Sequence, residues 1–459
     1  MDKQVKETPN VILLTIDTLR ADWLGCYGHD RPISPNLDRL AARSIRFEQA
    51  ITGGSWTQAA FPVMMTSTYA SMYGGCLGPL SAERPSLIGT LANSGYATGG
   101  FSTTPLLSKT YGYDRGFHYF SDIIPNEKDP SLRGVKGGQR LLRNPATHVV
   151  TKLFGANMRP AKVYEPAHVL VDEVMQWLDG VKRPFFAWAH FMDVHWPYHL
   201  EEELSSPEEI AQAWKDLVHL HEVNWQDAAI TPQQKQHYID LYEKAIQYTD
   251  TQIGRLLDYI DSSPFADNTM IIVVSDHGEE FLERGYWGHV EINLFDEILR
   301  VPLIMQLPGQ KEGKVVSQQV RTLDIMPTVL DLAGCERPEK VEGISLTPLW
   351  NGRPEKYDSP ISLSERWRDN THVVALRTEA FKYIWDSEKP DTPQLYDLLT
   401  DPKETRNAIA DFPEQAQQFQ AHVDAHLARV AETTTFGDVN EPDLDESVIN
   451  RLRDLGYVE

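Results

Sequence analysis

Short β-branched apolar runs recur along this chain, each separated from the next by an amphipathic stretch of helical period. Val11–Ile16, Ala97–Ser102, Phe185–Phe191, Met270–Val274 and Val301–Gln306 read as buried strands. Between them, Ser34–Arg46, Ser86–Ser94, Glu165–Leu178, Thr231–Ile260 and Asp324–Ala333 read as helices. In the longest of these, Ile239, Tyr242, Ile246, Ile253 and Leu257 fall at three- and four-residue steps or their sum. Ser34 and Pro35 suit a helix start, and Gly95 and Gly334 suit helix stops. This alternation restricts the fold to a mainly parallel α/β sheet covered by helices on both faces. In such sheets ligands bind beyond the carboxyl ends of the strands.

After about Arg353 the pattern changes. Ser362–Ser364, His372–Arg377, Phe381–Trp385 and Gln394–Asp397 read as short antiparallel strands. A helix is expected over Pro413–Thr433 and a short one over Asp443–Gly456. The chain therefore divides into a catalytic domain, 1–353, and a C-terminal subdomain, 354–459, with a small antiparallel sheet. Pro125–Lys162 is rich in Pro, Gly, Arg and Asn and is expected to be a long loop. Glu201–Ala229 is acidic, contains Trp and is expected to be helical in part. Each either borders the site or is a surface insert.

Charge and cysteine content narrow the partners. The 459 residues carry 66 acidic against 43 basic side chains, a formal net charge of -23. That average field repels nucleic acid and anionic lipid, so neither is an expected partner. An anionic small molecule remains compatible where a metal and a few histidines invert the local field. Cys26, Cys76 and Cys335 form neither a disulfide framework nor a zinc spacing. No stretch approaches the roughly 18 apolar residues of a membrane span. The first residues lack the apolar core of a signal peptide. Cytoplasmic localisation is the expectation.

Two strand ends carry chemistry. Asp17 follows the first run, and Asp276 and His277 follow the run Met270–Val274 in the string SDHGEEF. A doubly wound sheet brings both ends to one edge. Two carboxylates and an imidazole there suit one divalent cation, with Ca2+ or Mn2+ ahead of Zn2+. A lone strand-end Asp is more often a turn or cap residue, but the compact Asp276-His277-Gly278 string has little structural reason to exist. The string HFMDVHWPYH, from His190 to His199, follows the third run. His195 and Asp193 are candidates to bind an oxyanion, to protonate a leaving group, or to ligate a second metal. His190 and His199 read as structural. His289 lies twelve residues beyond His277 and is a further candidate on the same edge. In Gly53–Ser71, hydroxyls precede a helix expected from about Ala59. Thr57 or Ser55 either caps that helix or serves as a nucleophile beside the metal.

Taken together, NVILLTIDTLRADWLGCYG, SPNLDRLAARSIRFEQAIT, DVHWPY, SDHGEEF, FDEILRVPLIMQLPG and RTLDIMPTVLDLAG resemble the sulfatase family of the alkaline-phosphatase superfamily. The resemblance covers nearly the whole chain. It implies a central mixed sheet between helices, a small C-terminal antiparallel sheet and one metal at the sheet edge. Carried over by position, it makes Asp17, Thr57, Asp276 and His277 metal-site residues, with His195 and His289 on the transferred group or leaving oxygen. The chain departs from the usual sulfatase pattern in three ways. Its last metal position is His277, where sulfatases usually carry Asn and phosphate-processing relatives His. Where two neighbouring acids usually follow the first strand, it has Asp17 and Thr18. Where the family carries Cys or Ser in a Cys/Ser-x-Pro-x-Arg motif, it has Thr57, Ala59 and Phe61. A threonine side chain cannot give formylglycine, because its Cβ carries a methyl group, so that cofactor is not expected.

The expected function is metal-dependent cleavage of a small sulfate, phosphate or phosphonate ester, with Thr57 as nucleophile and His195, His289 and Asp193 toward substrate. Alternatives are a phosphodiesterase or phosphotransferase instead of a true sulfatase, a site holding two zinc ions through Asp193 with His195 or His289, and a non-catalytic anion binder.

Overall fold

The computed structural model describes residues 8–123, 164–200, 204–226, 228–289, 293–358, 360–368 and 371–433. The expected loop Pro125–Lys162 and the expected helix Asp443–Gly456 lie outside these residues. Fourteen strands are described: β1 Asn10–Ile16, β2 Ile45–Ile51, β3 Ala97–Ser102, β4 Tyr119–Asp122, β5 Phe185–Phe191, β6 Thr269–Ser275, β7 Glu280–Phe281, β8 Trp287–Gly288, β9 Arg300–Gln306, β10 Lys314–Arg321, β11 Ser362–Arg368, β12 Thr371–Arg377, β13 Phe381–Asp386 and β14 Gln394–Asp397.

Eight of them form the central sheet in the order β10-β2-β9-β6-β1-β5-β3-β4. Strand β9 alone runs against its neighbours; the other pairings are parallel. The buried strand β1 shows why the sheet needs two helical layers. Its side chains alternate between two cores: Ile12, Leu14 and Ile16 face one, Val11 and Leu13 the other. The first core contains residues of the helices Pro35–Ala41, Ala167–Gly180 and Pro232–Asp261. The second contains residues of Thr57–Thr66, Leu87–Asn93 and Ile325–Ala333. The architecture is thus the α/β fold with a large, mainly parallel sheet that the sequence implies.

Three strands have a weaker sequence signal. The helix expected over Ser34–Arg46 stops at Ala41, and Ile45 and Arg46 instead open β2. Strands β2 and β10 mix charged and amide residues with apolar ones, because one side of this end of the sheet is only partly covered. Strand β4 closes the opposite edge and is partly exposed. The segment Glu201–Ala229 contains the helix Pro207–Gln226.

Strands β11 to β14 form a separate four-stranded antiparallel sheet. One face, through Val374, Leu376, Tyr383 and Leu395, shares a core with the helix Pro413–Thr433 and with Trp56, Ala59 and Val63. The other face, through Val373, Ala375 and Ile384, packs with Ile51, Ile298 and Leu299. A buried ionic joint also crosses this junction. Lys382 Nζ lies 2.5 Å from Asp296 Oδ1 and 2.7 Å from Glu404 Oε1, and Arg377 binds the same Asp296.

Candidate active site

The register of the central sheet assembles the site. Ile16 pairs with Phe191 on one side and with Ser275 on the other. The next residue of β1, Asp17, therefore emerges beside Asp276, and both carboxylates are fully buried. Strand β2 runs in the same direction as β1 and β6 and ends at the same edge. After it, the turn 52–56 leads into the helix Thr57–Thr66. Gly54 is required in that turn, because a Cβ there would strike the Ala59 backbone. The helix starts earlier than Ala59, and neither Thr57 nor Ser55 caps it: Trp56 is the N-cap, without a side-chain bond. Thr57 is the first helical residue, and its Oγ1 donates to Asp17 Oδ2 at 3.3 Å.

Asp17, Asp276 and His277 each offer one ligand atom within 4.8 Å of the others. Asp17 Oδ1, Asp276 Oδ2 and His277 Nε2 are all buried without a hydrogen-bond partner. Three orphaned polar atoms converging on one point are costly in an apolar surround, and a cation is what relieves them. Their neighbours hold them in place. Asp276 Oδ1 accepts from Thr18 N at 3.3 Å and His277 N at 2.9 Å. His277 Nδ1 lies 2.9 Å from the Gly278 carbonyl, so it carries the proton and leaves the Nε2 lone pair aimed inward. Gly278 is also required, since a Cβ would strike the Glu297 carbonyl. The residues present fit a divalent metal.

The electrostatics agree with that assignment. Burial pushes the Asp276 carboxyl up to about 7, reinforced by the Asp17 charge. Burial acts the same way on Asp17, but the His190 hydrogen bond and the His195 and His277 charges outweigh it and hold it below the usual carboxylate range. Two carboxylates this close are compatible with full ionisation once a cation sits between them.

A second layer faces these three residues. The His277 and His289 rings lie 4.5 Å apart between centroids, and His195 and His289 lie 5.0 Å apart. Burial lowers the pKa of both outer rings, His289 to about 4. His289 Nδ1 lies 2.8 Å from Glu279 Oε1, while Glu279 Oε2 accepts from the Tyr198 hydroxyl at 2.9 Å. Trp287 Nε1 in turn donates to Tyr198 at 3.1 Å. Burial pushes Glu279 up to about 7. Asp193 is buried next to this edge, near Tyr164, but is not part of the ligand-distance group among the described residues.

Two residues of the site escape the sequence reading. His190 reads as structural, yet its Nε2 lies 3.3 Å from Asp17 Oδ2 and its Nδ1 2.9 Å from Thr15 Oγ1. The signal was its place one residue before the end of a strand next to β1. Glu279 received no role, although it stands two residues after His277. Ser55 is buried in the bend before the helix, and the hydroxyl that meets Asp17 belongs to Thr57. The Phe61 ring packs edge-on against His190 at 5.0 Å between centroids. The Thr18 hydroxyl donates to the Val194 carbonyl at 3.0 Å.

Comparison with known proteins gives the family and the fold. Residues 9–335 match the family described as Sulfatase, and residues 285–433 match the C-terminal family of N-sulphoglucosamine sulphohydrolase. An arylsulfatase of Clostridium perfringens is 25% identical over 87% of this chain and 90% of its own length. A choline-sulfatase of Rhizobium meliloti is 26% identical over 88% of this chain and 83% of its own. The solved phosphonate monoester hydrolase of Agrobacterium radiobacter superposes with a TM-score of 0.69 at 22% identity, covering 92% of this chain and 96% of that one. With its fold, its metal-fitting edge and a family match spanning most of its length, this chain belongs to the sulfatase family of ester hydrolases, within the alkaline-phosphatase superfamily.

Proposed function

We propose that this protein hydrolyses a singly charged phosphorus ester, a phosphodiester or phosphonate monoester, through a covalent Thr57 intermediate. The observation that carries this reading is the Thr57 hydroxyl, 3.3 Å from Asp17 Oδ2 at the edge of the orphaned ligand group. Asp17, Asp276 and His277, with Thr57 beside them, would hold a divalent cation. When bound, that cation supplies Lewis-acid neutralisation of the ester's nonbridging oxygens and favours the ionised hydroxyl.

The chain's own residues account for the rest. Asp17 accepts the hydrogen bond of Thr57 and orients its Oγ1. The Thr57 oxygen, its proton released to solvent, attacks phosphorus, the bond to the leaving oxygen breaks, and a protonated histidine, His195 or His289, gives that oxygen its proton. Burial favours the neutral form of both rings. The negative charge of a seated ester favours their protonated forms. In the second step water attacks phosphorus and gives one proton to the same histidine, the bond to Thr57 breaks, and the ionised Thr57 oxygen regains its proton from solvent. Asp193, buried after the end of β5, would serve as a substrate-side residue.

Two features support phosphorus over sulfur and a monoanion over a dianion. A formylglycine hydrate releases sulfate by collapsing to the aldehyde, and Thr57 has one hydroxyl and no such exit. Phe61 occupies the position of the family arginine, so the site lacks one positive charge that a dianion would need. The solved phosphonate monoester hydrolases of like fold are compatible with this choice.

The test is a panel of aryl phosphodiester, aryl phosphonate, aryl phosphate and aryl sulfate, assayed with added Mn2+, Ca2+ or Zn2+. The first two should be turned over fastest. Thr57→Ala should lower turnover by about 10³-fold or more with unchanged folding and metal content. Selective aryl sulfate hydrolysis, or a Thr57→Ala enzyme of near-normal rate, would refute the reading.

A further inference from the structure

A second cluster of metal-ligating side chains lies at the junction with the C-terminal sheet. Glu365 on β11, His372 on β12 and His426 on the helix Pro413–Thr433 place one ligand atom each within 4.8 Å of the others. Glu365 and His426 are buried and His372 nearly so. Strand pairing explains part of this: Glu365 opposes Val374, so His372, two residues earlier on β12, shares its face of the sheet.

The cluster over-subscribes one oxygen. Glu365 Oε1 lies 2.8 Å from His372 Nε2, 2.7 Å from His426 Nε2 and 2.6 Å from the Ser71 hydroxyl. Its partner Oε2 meets the Ser71 backbone N–H at 3.1 Å. A carboxylate oxygen offers about two lone pairs, so three donors at these distances are one too many. The crowding disappears if the two Nε2 atoms present lone pairs to a shared cation in place of protons. Neighbouring ligands of tetrahedral zinc lie about 3.3 Å apart, so the group need open by only about 0.5 Å. The surround is aromatic: Tyr69 packs on His426 at 5.0 Å between centroids, and Trp367 on His372 at 5.2 Å. Two imidazoles and one carboxylate favour zinc over calcium or magnesium.

We propose that Glu365, His372 and His426 form a structural site for zinc, separate from the catalytic edge. Its place suggests what it does. The Glu365 backbone N–H donates to the Gly53 carbonyl at 3.0 Å, and its carboxylate takes both bonds from Ser71. Gly53 and Ser71 flank the segment that carries Thr57. The ion would pin both ends of the nucleophile segment to the C-terminal sheet.

The experiment starts from the full chain carrying Asp276→Asn and His277→Ala, which disable the catalytic site. After purification with zinc and exhaustive dialysis, elemental analysis should find one zinc per chain. Adding His372→Ala, or the milder His372→Gln, should reduce this to about none while circular dichroism stays native. Cobalt in place of zinc should give visible ligand-field bands that the same substitutions remove. Absence of both zinc and cobalt bands from the folded two-substitution protein would overturn the proposal and leave the cluster as a hydrogen-bonded clamp. Zinc retained at full stoichiometry after both His372 substitutions would overturn it as well.

Discussion

Glu279 is the residue on which the candidate site most depends without being a metal-fitting group itself. It bridges His289 and Tyr198, and its bond to His289 Nδ1 places the proton there and directs Nε2 outward. Glu279→Gln keeps the shape and removes the charge. The expected result is a kcat about 10- to 100-fold lower, the range for lost partners of site histidines, with metal content and KM near normal. Elsewhere, Asp296 shows how a single buried carboxylate ties stability to pH. Burial pushes its pKa up, but Lys382 and Arg377 outweigh this and hold it below the usual range. The unfolded chain therefore binds its proton first as pH falls. Stability is fully present above about pH 4, the ordinary carboxylate value, and is lost as pH drops below it. Glu404, pushed the other way by burial, titrates in the opposite sense. Comparison of Asp296→Asn with the native chain isolates the effect: acid melts should show a flatter loss of stability below pH 4 in the variant.

Among the elements, the legible ones were those buried on both faces or strongly periodic. Asn10–Ile16, Phe185–Phe191 and Thr269–Ser275 are continuous apolar runs because both faces are covered. The helix Pro232–Asp261 was legible from its period, and in the structure Thr231 caps it in a reciprocal bond with Gln234. Thr231→Ala should cost about 1 kcal/mol, visible as a lower urea midpoint with an unchanged slope. Strands β2 and β10 were illegible because polar residues interrupt their apolar positions where one side of the sheet is only partly covered. Strand β10 pairs with β2 across more than 250 positions, and no local pattern encodes that. The site divides in the same way. Asp17, Asp276 and His277 could be read from strand ends. His190 could not, since a histidine inside an apolar strand has the sequence appearance of a core residue, and only the register puts it against Asp17.

At the scale of the whole molecule, the change of pattern near Arg353 does not mark a line of weakness. The small sheet buries one face on Trp56, Ala59 and Val63 and the other on Ile51, Ile298 and Leu299. The fully buried Lys382 spans the junction between Asp296 and Glu404. Lys382→Ala would leave two buried carboxylates short of their counter-charge, a loss of about 3–5 kcal/mol. Calorimetry should show one transition for the native chain, and for the variant one transition at lower temperature and not two. Separate melting of the C-terminal sheet would contradict the shared cores.

The bond from Glu365 to Gly53 has a consequence for descent. A turn that presents the Thr57 hydroxyl, the proposed nucleophile, and a strand more than 300 positions away must change together, or the hydroxyl loses its aim. Recombination between distant relatives would then be punished wherever it separates these two segments, even at the tempting break near Arg353. Chimeras that keep both from one parent should retain turnover, and those that mix parents should fold and fail.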